Sequence, residues 1–398
     1  MDIDWKEIGD YFTTLPKKID YLLIIQIIPI LIISSILVRE INPQLFQKQM
    51  IYYTVGALGF TVAVLIPWQK IIWWFAPISY FFNLLLLLAV DLVGKKILGA
   101  RRWIEIPGIG LTVQPSEFIK ISVILMLAFI VHKNPPPKEG YGFIDFFKLS
   151  LIILIPFILI AKEPDLGTAL VLLITGFGTL FYIGVKWRVW ITIAIVLAIS
   201  APVLYNNLHD YQKKRISDFL GKPSYHVQQA LIAIGSGGLE GKEKEDATQT
   251  QLKFLPIASS DFIFAYLGER FGFKGMLLVI ILYILLIIHL LILAKIYSQD
   301  YLIKTVAVGI AFLIFIYMNV NMYMIIGMAP VVGVPLPMFS HGGTSFIIFA
   351  VFFGILLNLV AFKRFFLYNA DTKITMMEKA SAINPKEDKY RRKSKRTT

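Results

Sequence analysis

Asp261 stands in the run Phe254-Leu255-Pro256-Ile257-Ala258-Ser259-Ser260-Asp261-Phe262-Ile263-Phe264-Ala265, between small polar residues and an apolar stretch. A carboxylate at such a junction is partly stripped of water, which raises its pKa and makes it a stronger base. The same residue could instead cap a helix that starts at Phe262. Arg102-Trp103 and Gln114-Pro115-Ser116-Glu117-Phe118-Ile119-Lys120 form a second group. Pro115-Ser116-Glu117 reads as a helix start, and Glu117 and Lys120, three apart, share one face. Both would enter apolar surroundings, where ionised groups are costly unless paired or facing water. They are therefore either a structural ion pair or part of a cavity wall. Asp165, in Glu163-Pro164-Asp165-Leu166-Gly167-Thr168, is a helix cap or a member of the same site. Arg215 adds a further cation in a long polar segment. Glu269-Arg270 reads as a surface or interfacial pair.

Two glycine-rich stretches complete the unusual sequence. Ala233-Ile234-Gly235-Ser236-Gly237-Gly238-Leu239-Glu240-Gly241-Lys242 invites a phosphate-loop reading, but no Ser or Thr follows Lys242 and no strand precedes it. It reads as a loop that exposes backbone near a ligand. Residues 327–343 hold Pro330, Pro335 and Pro337 with Gly327, Gly333, Gly342 and Gly343, which no helix can accommodate, and include Ser340-His341. This backbone must be irregular, and must be shielded by protein or face water.

The elements that position these residues are membrane helices. The chain of 398 residues is 57% hydrophobic and 16% charged, against about a quarter charged in an average soluble domain. The apolar residues come in long blocks, as a crossing of about 30 Å of hydrocarbon requires. The expected fold is all-α, a polytopic membrane protein of about ten transmembrane helices. The spans fall near 20–38, 50–67, 71–91, 116–132, 148–161, 167–185, 188–205, 275–295, 303–326 and 344–362. A long loop, 206–274, joins helices 7 and 8. Residues 1–19 and 366–398 flank the membrane domain of 20–365, and the basic tail is expected to be disordered. An even span count puts both termini on one side. The Lys and Arg of short loops and termini favour the cytoplasm for that side, since the long 206–274 segment is largely exempt from the rule. The outer loops then carry nearly all the unusual sequence, which points to one site at one face.

Composition also excludes. With no cysteine there is no disulfide or thiol chemistry. His132, His209, His226, His289 and His341 show no metal-ligand spacing, so no His-based metal site is expected. No cleavable signal is visible. The formal charge of +13 lies beside apolar segments and in the tail Lys389–Arg396. It therefore suits membrane lipids and not nucleic acid.

Taken in order, Arg102-Trp103, Gln114-Pro115-Ser116-Glu117 with Lys120, Pro164-Asp165-Leu166-Gly167-Thr168, Ala233-Ile234-Gly235-Ser236-Gly237-Gly238, Asp261-Phe262-Ile263-Phe264-Ala265 and Gly333-Val334-Pro335-Leu336-Pro337 resemble the SEDS proteins (shape, elongation, division and sporulation). The resemblance runs from about Ile19 to Phe365, and Val334-Pro335-Leu336-Pro337 tilts it to the RodA branch over the FtsW branch. It implies a peptidoglycan glycosyltransferase that polymerises lipid II in the bacterial inner membrane during elongation, beside a class B penicillin-binding protein. Asp261 matches the family's essential aspartate. Joining an α-linked sugar diphosphate to a 4-hydroxyl in a β-1,4 bond inverts the anomeric carbon, which suits one displacement with one base. Asp261 is the expected base. Arg102, Lys120 or Arg215 would balance the leaving diphosphate, or a divalent cation (Mg or Mn) on Asp261 or Glu117 could share that work. Trp103, Asp165 and Ser340 are further expected substrate contacts. His341 departs from the family's usual Tyr, Ser259-Ser260 from a His-Thr type pair, Lys242-Glu243 from Lys-Gly, and Glu269-Arg270 from Glu-Glu. The alternatives are a division-type polymerase, a lipid II flippase or other transporter, and a scaffold without activity.

Overall fold

The computed structural model describes residues 13, 15–97, 100–105, 112–163, 165–206, 213, 221, 224–252, 254–255 and 258–383. The apolar blocks are helices: α1 (Tyr21–Ile41), α2 (Pro43–Leu65), α3 (Trp68–Val93), α4 (Pro115–Lys133), α5 (Phe143–Lys162), α6 (Leu166–Ile183) and α7 (Trp187–Asn206). After two shorter helices, α8 (Tyr225–Gly237) and α9 (Thr248–Gln251), come α10 (Ile263–Ile296), α11 (Tyr301–Ile325) and α12 (Gly343–Ile383). A small antiparallel sheet, β1 (Lys95–Ile97), β2 (Ala100–Glu105) and β3 (Thr112–Val113), sits between α3 and α4 and departs from the all-α expectation.

All ten expected spans are helical. Among the described residues, 8 helices are long and apolar enough to cross a membrane. Of the other two, α2 is long enough but opens on a polar half containing Gln44, Gln47, Lys48 and Gln49, and α7 offers the shorter apolar run Trp187–Pro202. Outward faces of α1, α3 and α5 bare large apolar residues such as Ile25, Ile32, Phe81, Leu85, Ile144 and Phe147. Water would penalise that surface and hydrocarbon does not. This is a multi-pass membrane protein.

Helix ends follow local chemistry. Asn42 ends α1 and caps α2, accepting from Gln44 N at 2.9 Å with Pro43 in the first turn. Asn358 bridges the α2–α3 turn, donating to Val64 O at 2.7 Å and accepting from Trp68 N at 3.2 Å. Two helices are largely enclosed: α11, packed by α4, α6 and α10, and the first part of α12, which packs along α2. One apolar core joins α1, α2 and α10–α12, and a second fills the space among α3–α6.

Among its described residues, the 206–274 segment contains helices. α8 lies against the start of α10, which begins at Ile263 and not near 275. α10 breaks at Gly272 (φ 61°, ψ −164°), where the backbone of Gly241 and Leu239 approaches too closely for any side chain. The short first part, 263–271, is thus separate from the span that follows. Glu269 is fully buried, not an interfacial residue. It accepts from Gln249 N (2.9 Å), Thr250 N (3.2 Å) and Thr250 Oγ1 (2.8 Å), satisfying the open donors of α9. Arg270 pairs instead with Glu40 at 3.1 Å. Ion pairs also clamp the opposite end of the bundle: Asp20 with Arg364 (3.0 Å) and Asp300 with Lys363 (3.1 Å).

Candidate active site

A cavity of about 560 Å³ opens at the end of the bundle where these segments gather. Arg102 and Trp103 of β2, Gln114 and Glu117 at the start of α4, and Asp165 and Thr168 at the start of α6 line it. Ser260-Asp261, Tyr317 of α11, Val331–Pro335 and His341–Ser345 form the rest, with Tyr52 of α2. One wall therefore comes from α4, α6 and β2, and the other from the α10 entry and the 331–345 loop.

Asp261 is set by its backbone. Asn321 Nδ2 donates to Asp261 O at 2.8 Å and to Val334 O at 2.7 Å, pinning the turn and the loop to α11. Ser340 Oγ donates to Ser260 O at 2.7 Å and accepts from Leu336 N at 2.8 Å. Gly333, at φ 66°, lets the loop pass so near that a Cβ there would stand 3.6 Å from Asp261 Oδ2. The start of α10 carries no side-chain cap hydrogen bond, and Asp261 instead lines the cavity. Burial pushes its pKa up to about 6, against a smaller opposing hydrogen bond from Ser260. Among the described residues no cation pairs with it.

Glu117 and Lys120 are both readings at once. Lys120 Nζ is 2.5 Å from Glu117 Oε1 and also donates to the Tyr317 hydroxyl. Glu117 reaches the cavity wall, but Lys120 is buried outside the lining. Asp165 likewise does two things. It caps α6 through Thr168 N (3.3 Å), accepts from Gln114 Nε2 (3.2 Å), and lies 3.6 Å from Arg102 Nη1. Arg102 Nε donates to Glu163 O at 3.1 Å. The guanidinium is a quarter exposed and held from two sides, so it enters the cavity as a fixed cation.

The structure thus brings together Asp261, Arg102, Trp103, Glu117 and Asp165. Lys120 stands behind the wall, and Ser340 fastens the Asp261 turn to the loop without lining the cavity. Arg215 lies outside the described residues. Sequence reasoning missed Tyr52, Tyr317 and the positioning role of Asn321. The last two stand four apart in an apolar span, a polar stripe on one helix face that could have marked them. His341 also lines the cavity, held by its N–H to Ser259 O at 2.9 Å; burial first of all lowers its pKa.

Among the described residues no three His, Asp or Glu are grouped to hold a metal ion. Glu117 and Asp165 are already engaged by cations, so Asp261 is the lining carboxylate free to meet one.

Comparison with known proteins identifies the family. A family model described as cell cycle protein (FtsW, RodA, SpoVE) matches residues 14–365. The peptidoglycan glycosyltransferase MrdB of Helicobacter pylori strain 26695 is 51% identical over 352 residues, 88% of this chain and 92% of that protein. A chain from a peptidoglycan synthase complex that coordinates polymerization and crosslinking superposes with TM-score 0.74 at 26% identity, covering 86% of this chain and 97% of its own. The rod shape determining protein RodA of Thermus thermophilus gives 0.63 at 27% identity, covering 86% and 96%. The motifs, the bundle and these matches have one reading: the chain belongs to the FtsW/RodA/SpoVE family of cell cycle proteins, the SEDS proteins.

Proposed function

We propose that this protein is a peptidoglycan glycosyltransferase that polymerises lipid II into β-1,4 glycan strands during elongation of the cell. The observation that carries the reading is Asp261: a carboxylate without a cationic partner among the described residues, basic enough to work near neutral pH, in the wall of a cavity that also holds Arg102. Asp261 takes the proton from the acceptor's 4-hydroxyl as that oxygen attacks the anomeric carbon. The bond to the isoprenoid diphosphate breaks on the opposite face, which inverts the centre. Arg102 steadies the charge that builds on the diphosphate, and Trp103 and Asp165 shape the same wall. If a divalent cation such as Mg²⁺ or Mn²⁺ takes part, Asp261 is the residue that would hold it, and it would neutralise diphosphate charge.

In this reading the cavity faces the outside of the inner membrane and both termini are cytoplasmic, as the loop charges favour. The likeness to a chain from a peptidoglycan synthase complex supports a class B penicillin-binding protein as partner. The test is polymerisation of purified lipid II by Asp261→Asn, which keeps the shape and removes the base. Loss of glycan product with an intact fold is expected. Strands of normal length and rate would remove Asp261 from the mechanism.

A further inference from the structure

Tyr317 is 1% exposed, yet it shares the cavity wall with Glu117. Its hydroxyl accepts from Lys120 Nζ and donates to Glu117, 3.2 Å from Oε1 and 3.5 Å from Oε2. The ammonium also sits 4.6 Å from the centre of the phenol ring. Lys120 itself lies outside the lining, so the positive charge cannot meet a ligand directly. The group that can is the phenol O–H, polarised by the ammonium on its far side.

We propose that Tyr317 contacts the substrate, its hydroxyl donating to an oxygen of the isoprenoid diphosphate while Lys120 and Glu117 remain paired behind it. The inference rests on the polymerase reading and adds a residue to it. Binding needs only a rotation of the O–H from Glu117 to the phosphoryl oxygen, and no proton leaves the phenol. Glu117 loses one weak acceptor contact and keeps its 2.5 Å bond to Lys120. The Glu117–Lys120 pair is neutral overall, so the wall offers a polarised donor without a free cation. Such a donor strengthens as charge grows on the leaving group and does not hold the released product as a bare ammonium would.

The experiment uses the full chain in detergent, with geranylgeranyl diphosphate and geranylgeranyl monophosphate as probes. Wild type should bind the diphosphate more tightly. Tyr317→Phe, which keeps the ring and removes the hydroxyl, should lose about tenfold in diphosphate affinity, and kcat with lipid II should fall at least as far. Replacing Tyr317 by 3-fluorotyrosine keeps the hydroxyl protonated near neutral pH and makes it a stronger donor, so diphosphate binding should tighten. This second variant decides the matter if Tyr317→Phe fails to fold. Unchanged affinity in a folded Tyr317→Phe, or in the fluorinated protein, overturns the proposal. Wild type that binds neither probe would instead count against the polymerase reading itself.

Discussion

Asp261→Asn should make the protein more stable as it makes it inactive. Burial raises the folded-state pKa from the ordinary 3.8 to about 6, so folding disfavours the charged form. Below pH 3.8 the carboxyl is neutral folded or unfolded and contributes nothing. Between 3.8 and about 6 the unfolded chain ionises while the folded chain resists, and a penalty accumulates at about 1.4 kcal/mol for each pH unit. Above about 6 it is complete, at about 3 kcal/mol, an upper figure because the cavity admits water. Asparagine carries no such penalty. Thermal unfolding of purified wild type and variant should therefore show melting temperatures that nearly coincide near pH 4 and separate through pH 5 and 6. Above pH 6.5 the variant should be higher by a constant few degrees. In parallel, the wild-type rate with lipid II should climb with pH through the same window as the base ionises. A variant no more stable than wild type at pH 7.5, or a gain that does not depend on pH, would refute the claim that this carboxylate is desolvated, and its heightened basicity with it.

Three further outcomes follow from the same geometry. Lys120→Met strips buried Glu117 of its cation and should cost about 3–5 kcal/mol; adding Glu117→Gln should recover most of this in denaturant unfolding, because the uncompensated charge is gone. Gly333→Ala asks a side chain to adopt φ 66°, at about 1–2 kcal/mol, and sets a methyl beside Asp261 Oδ2. Its kcat with lipid II should fall well beyond what its unfolding midpoint explains, and a rate equal to wild type would show the carboxylate is not confined there. Chelation with EDTA should slow polymerisation and Mg²⁺ or Mn²⁺ should restore it if Asp261 shares a cation with the diphosphate. An assay indifferent to both leaves charge stabilisation to Arg102 and its neighbours.

The spans were legible because a bilayer crossing leaves a coarse mark, a long apolar run, that neighbours do not alter. Asp261, Glu117 and Asp165 were legible because each is a polar residue at the mouth of an apolar run, and Arg102 through the Arg102-Trp103 motif between two runs. Side-chain partners were not. Glu269 and Arg270, adjacent in sequence, point to different elements: one feeds the backbone of α9, the other meets Glu40 on α1. Nothing in a local window distinguishes those fates, since they depend on the break at Gly272. Lys120 and Ser340 were read as ligand contacts from their types, whereas packing against Tyr317 and Ser260 turns both away from the cavity. The two-residue β3 and the short β2 pairing offered too little pattern to betray a sheet.

Asp261 and Arg102 reach the cavity from different parts of the chain. Arg102, Glu117 and Asp165 belong to the 95–183 portion, and Asp261 with its Gly333 loop belongs to the portion after 224. α11 is where they meet: on one of its faces Tyr317 bonds to Glu117 and Lys120, and Asn321, one turn along, holds the carbonyls of Asp261 and Val334. A rotation of α11, or a tilt of α10 about its break at Gly272, would change the separation of Asp261 and Arg102 with no change in either residue. In-line displacement is sensitive to errors of about 1 Å, so small movements of these two helices would govern the rate. Just before that break, α8 packs against the start of α10, which Arg270 joins to Glu40. A partner that gripped it would act on the position of Asp261 through a rigid connection. Asn321→Ala is therefore the substitution that should separate catalysis from partner binding. With two carbonyls released, catalysis should fall while partner binding to the 225–271 segment is kept.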